Sequence, residues 1–174
     1  NQTVTLNAAE AKQIGDITDS SNKLALNFTL SNAATFLQAA TLVGNTSGSV
    51  VLHSNGINDD IANFVNADPA SSAPTDISNN YKTVRAADDD ANLTITGFTS
   101  PVTNHEMNAL NLIAAKTKGV ITASFTTSAA NAALLNKANW TTNNSSIGSD
   151  VLTITVSDGL SVQVFENLDE LTNQ

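Results

Sequence analysis

The sequence predicts an α/β fold made of repeated strand–helix units, a solenoid-like sheet carrying short helices. Three observations point there. The chain is self-similar, its apolar stretches alternate between strand-like and helix-like spacing, and helix-capping signatures sit at the junctions.

The self-similarity is clearest between residues 6–37 and 102–134. Asn7 falls on Thr103, Glu10 on Glu106 and Ile14 on Leu110. After one inserted residue, Phe28-Thr29 falls on Phe125-Thr126, Ser31 on Ser128 and Leu37 on Leu134. A partial third copy sets Asn58, Phe64, Val65 and Asn66 on Ser128, Leu134, Leu135 and Asn136, and Leu93-Thr94-Ile95-Thr96 recurs unchanged from Leu152.

Each unit opens with a short stretch rich in β-branched and apolar residues, at 4–6, 24–30, 50–53, 93–96, 120–125 and 151–156. A small polar residue follows, and then an Ala/Leu/Ile run at helical spacing. Asn7-x-x-Glu10 and Thr103-x-x-Glu106 are capping boxes, in which two side chains satisfy the free amides that begin a helix. Ser31, Asn58 and Ser128 are expected as plain N-caps. Helices this short are weak alone and must be held by the sheet and by adjacent units.

Two segments break the rhythm. Residues 67–91 hold Pro69, Pro74 and the only Tyr and Arg, and read as an insertion or inter-repeat loop with a short strand at 81–85. Around Ser157-Asp158-Gly159, alternating residues predict a β-hairpin near 151–165. The expected organisation is one continuous array: repeat units over 1–66, the insertion, and repeat units over 92–174. Both ends fall inside a unit, which predicts end-to-end self-association or continuation in a longer chain.

Composition bounds the chemistry. Sixteen acids against seven bases give a net charge of -9, so no surface is expected to neutralise a nucleic-acid backbone. No apolar run reaches the roughly 20 residues of a membrane span. Cysteine is absent, which excludes disulfides and thiolate chemistry. Asparagine, by contrast, supplies 23 of the 174 residues.

The stretches Phe28-Thr29-Leu30-Ser31-Asn32-Ala33-Ala34 and Phe125-Thr126-Thr127-Ser128-Ala129-Ala130-Asn131 resemble the repeat regions of large secreted bacterial surface proteins, whether S-layer-like, adhesin-like or exported with RTX chains. That resemblance implies an extracellular or cell-surface location and a structural, filament-building role. The calcium nonapeptide of RTX chains, G-G-x-G-x-D, is absent, so a calcium β-roll does not carry over.

Catalysis finds little support. Gly44-Asn45-Thr46-Ser47-Gly48 has its serine one place late for a nucleophile elbow, and only His53 and His105 offer imidazole bases. The chain is expected not to be an enzyme. Calcium is the one cofactor with candidate ligands: Asp88, Asp89 and Asp90, together with Asp59 and Asp60, offer oxygens on loops. The other reading of these acids is a solvated surface that keeps the protein soluble. The expected function is a non-catalytic structural or assembly module of a bacterial surface layer, filament or giant adhesin. The alternative is a calcium-dependent module that binds a glycan or a protein.

Overall fold

The computed structural model describes residues 2–18, 21–135 and 150–159. It is mixed α/β, and every pairing between its named strands is parallel. Strands β1 (Thr3–Leu6), β2 (Asn27–Leu30) and β3 (Val50–Val51) form one sheet in that order. Strands β4 (Ile57–Asp60), β5 (Leu93–Thr96), β6 (Ile121–Thr127) and β7 (Val151–Val156) form the other. A parallel bridge between Ala34 and Ile57 links the segment after β2 to β4. Spatial neighbours within each sheet are therefore sequence neighbours, joined by crossovers that contain helices. Two strands that run the same way require such a crossover.

The helices are α1 (Ala8–Ile17), α2 (Phe36–Asn45), α3 (Ile61–Phe64), α4 (Asn79–Ala87), α5 (Asn104–Ala114) and α6 (Ala129–Ala132). Both predicted capping boxes form, at Asn7/Glu10 and Thr103/Glu106, and Ser128 caps α6. A third box, Thr35/Gln38, opens α2. Ser31 is not the cap of that helix. It bonds back to the Leu6 carbonyl, and Ala34 is held in the bridge to Ile57, so helix formation waits until Thr35. Asn58 is likewise not a cap; it lies within β4, and Asp60 caps α3 instead.

The strand expected at 81–85 is a helix. Ser78 accepts from the Tyr81 amide to open α4, and Tyr81 and Val84, three residues apart, turn one face into the core. The segment 67–91 thus supplies a packing element as well as a loop. At the other end, β7 joins the sheet as the parallel neighbour of β6 from Thr122↔Val151 to Thr127↔Val156. The return arm of the expected hairpin lies outside the described residues.

The core sits where α2 packs against α1 and α4. Phe36, Phe64 and Tyr81 meet there, with Phe36 edge-on to Phe64 at 4.6 Å and stacked on Tyr81 at 4.8 Å. Beneath the second sheet, α5 contributes Met107, Leu110 and Ile113, all fully buried. Approach between crossovers is close: Gly56 has φ 59, and a Cβ there would stand 1.9 Å from the Asn92 carbonyl oxygen. Only glycine fits that turn.

Candidate functional site

Asn and Asp side chains recur as acceptors where one crossover meets the next. The first helical amide of α1, Ala8 N, donates to Asn32 Oδ1 at 2.8 Å, a residue 24 positions later. Phe36 N of α2 donates to Asp59 Oδ2 at 2.9 Å, and Ala129 N of α6 to Asp158 Oδ1 at 2.6 Å. The residue before each of these Asx side chains also bonds backward. Ser31 N donates to Leu6 O at 2.8 Å, Asn58 N to Ala34 O at 2.9 Å and Ser157 N to Thr127 O at 2.9 Å. Ser31-Asn32, Asn58-Asp59 and Ser157-Asp158 are thus three copies of one staple. Each extends the parallel ladder by a bond and caps the preceding helix from outside.

The staple solves a recurring problem. A helix start leaves several amides without intrahelical partners, and its own N-cap side chain reaches only one of them. A second acceptor from the next crossover satisfies another, and ties neighbouring crossovers together with a bond that neither makes alone. At the strand entrances Asx side chains do related work: Asn27 Oδ1 accepts from Ser49 N, Asn92 Oδ1 from Val120 N, and Asp150 Oδ1 from Ile121 N. Sequence reasoning missed the staples. Their signal is a Ser/Asn-Asx pair placed at or just past a strand end and one crossover after a cap.

The acids singled out for calcium fall into two separate places. Asp60 is registered with Thr96 at the end of β5, whereas Asp88, Asp89 and Asp90 precede that strand's first residue. Asp59 is buried and its oxygens are occupied: besides Phe36 N, they accept from Asp60 N and from Asn63 Nδ2. Asp60 Oδ1 accepts from Ala62 N. Asp89 pairs with Lys118, which holds its carboxyl below the usual range, and Lys82 does the same for Asp76 at 2.5 Å. Among the described residues, no group of three or more His, Cys, Asp or Glu side chains is arranged to hold a metal ion.

Asp88 behaves differently. Partial burial pushes its pKa up, to about 6, and the neighbouring Asp90 carboxyl adds to the effect. The fold therefore favours protonated Asp88. Its contribution to stability is present at low pH and is lost as the pH rises through about 6. Asp88→Asn is accordingly expected to raise the melting temperature at pH 7.5 and to leave it nearly unchanged at pH 4. Thermal melts at the two pH values check this, and an equal shift at both would rule out the charge as the cause.

No family model, curated protein or solved structure matches this chain.

Proposed function

We propose that the chain is a non-catalytic structural module of a secreted bacterial surface assembly, built as a solenoid-like stack of strand–helix units. The observation that carries this reading is the staple, repeated at Asn32, Asp59 and Asp158, in which an Asx side chain from a later segment completes the starts of α1, α2 and α6. Stability shared between nearest neighbours in this way is the mark of a repeat array. Such an array extends by adding units at its ends. Among the described residues β1 is hydrogen-bonded on one side only, to β2, so its other edge offers free backbone groups to a neighbour.

The module associates end to end, or continues as part of a longer chain of similar units, at the cell surface or outside the cell. A head-to-tail contact does not close on itself, so it builds a filament or layer. Calcium enters through Asp88 and Asp90, whose neighbouring carboxylates repel each other above pH 6 and would be relieved by a cation between them. The mutual repulsion of molecules carrying a net charge of -9 is reduced by the same ion.

Sedimentation velocity over rising protein concentration, with calcium and with chelator, tests the assembly. Elongated species that grow with concentration, and grow further with calcium, are expected. One monomeric species under every condition would remove the end-to-end reading.

A further inference from the structure

The outer face of the second sheet carries a trough walled by hydroxyl and amide groups. In β5 and β6, Leu93, Ile95, Ile121, Ala123 and Phe125 turn into the core. Thr94, Thr96, Thr122, Ser124 and Thr126 consequently face outward. β6 is longer than β5, and the chain departs from β5 at Gly97 and is paired again only at Val102↔Thr127. The gap between departure and return is a groove of about 440 Å³. Gly97 makes that departure possible: its φ is 74, and a Cβ would lie 1.7 Å from Asp60 Oδ2. Half-buried Phe98 forms one wall, its ring 5.1 Å from that of Phe125. A second depression of about 240 Å³ shares Thr94 and Thr122 with the first and extends the trough to Asn55 and Asn58.

The chemistry of the walls is narrow. No acid or base among the described residues lines either depression, in a chain that carries 16 acids. Thr122, Ser124, Thr126 and Thr153 and the side-chain amides of Asn55 and Asn58 have no hydrogen-bond partner in the protein among the described residues. Hydroxyls and amides both donate and accept, so they match a ligand whose own groups do both. An anion would meet no base here, and the one acid that reaches the trough, Asp60, does so only at its Gly97 end. An extended peptide that adds a strand needs a free sheet edge several residues long, whereas β6 is open toward β5 only between Ala123 and the Val102↔Thr127 bridge.

We infer that this trough binds a neutral, extended carbohydrate chain, with sugar hydroxyls on the Thr, Ser and Asn side chains and a sugar's apolar face against Phe98. The volume lies in the range of ligand sites, and a partly exposed aromatic ring offers the flat apolar contact that such a face takes. The inference is independent of the assembly reading, since the trough is on a face and the proposed assembly uses ends.

Calorimetric titration of the intact chain with cellohexaose, maltohexaose and chitohexaose tests it, with polygalacturonate as the anionic control. At least one neutral hexasaccharide is expected to bind, with an affinity that does not change with salt concentration. Phe98→Ala and Ser124→Arg are each expected to weaken binding roughly tenfold or more. Phe98 also packs on Phe125, so the decision rests on Ser124→Arg, an exposed position whose thermal melt should match the parent's. The inference is overturned if none of the three sugars binds, if polygalacturonate binds as tightly, or if Ser124→Arg leaves binding unchanged. Each of these results leaves the sedimentation behaviour as it was, so the two readings fail separately.

Discussion

Replacing Phe36 by alanine is expected to lower stability by about 3 to 5 kcal/mol, the range for deleting a buried aromatic ring. Phe36 is completely buried and is the first residue of α2. Its ring contacts Phe64 of α3 and Tyr81 of α4, so one side chain joins three helices. Its amide is the one stapled by Asp59, which fixes the backbone while the ring fixes the packing. Collapse around the lost ring is hindered, because Phe64 and Tyr81 are held on separate elements and cannot both move in. For a chain of this size each kcal/mol moves the midpoint by about 2 to 4 °C, so a fall of about 10 °C is expected. Leu37→Ala is the control: that side chain is 54% exposed, and its loss should stay within about 0.5 kcal/mol. Urea denaturation of both variants measures the difference. Equal losses would mean that the aromatic cluster is not the centre of the core.

That cluster shows where the sequence was readable and where it was not. Most strand positions were, because β-branched residues at alternate positions have one physical meaning on a pleated surface: β5 runs over Leu93–Thr96 as expected, and β7 over Val151–Val156. β4 (Ile57–Asp60) was not, since Asn58, Asp59 and Asp60 are residue types depleted in strands. The capping boxes were also readable, since both partners of the reciprocal bond lie within four residues of each other. Tyr81 was misread. Tyr81-x-Thr83-Val84 carries the residue types of a strand, and its helix has only two buried side chains to mark a face. What makes it helical is Ser78 as cap together with the Phe36 and Phe64 rings waiting at its surface, which are distant in sequence. Ser31 was misread for the opposite reason. As a local cap it is plausible, but its partner is the Leu6 carbonyl one crossover earlier. The staples and the trough share this property. Both arise from register between crossovers, and register depends on crossover lengths that vary here, with staple bonds spanning 23, 24 and 29 residues. The acids show the limit in another way. Composition brings Asp59 and Asp60 to notice as ligands, while the structure uses them as caps, which are also met by a short carboxylate near a helix start.

The two capping boxes give the second large effect, because the same four-residue grammar is placed in two different environments. Glu10 is exposed and accepts from Asn7 N at 2.8 Å. Glu106 is 1% exposed, and its oxygens accept from Thr103 N at 2.7 Å, Thr103 Oγ1 at 2.9 Å, Thr99 N at 2.7 Å and the Thr99 hydroxyl. One buried carboxylate therefore both opens α5 and pins the loop that leaves β5. Alanine at position 106 strands two backbone amides in a site that water enters poorly, and removes bonds to a charged acceptor. A loss of about 3 kcal/mol is expected. At position 10, solvent takes over the released amide, and the loss should be about 1 kcal/mol or less. Glu106→Gln keeps an acceptor of the right length but one fewer oxygen, and should fall between. The loop that Glu106 pins includes Thr99 and Ser100, which line the trough. Glu106→Ala should therefore loosen that wall and speed amide hydrogen exchange at Thr99 and Thr103, while Glu10→Ala leaves both unchanged. Urea midpoints for the three variants, with exchange rates at those two amides, decide the matter. Similar costs at positions 10 and 106 would show that burial of the second box adds nothing.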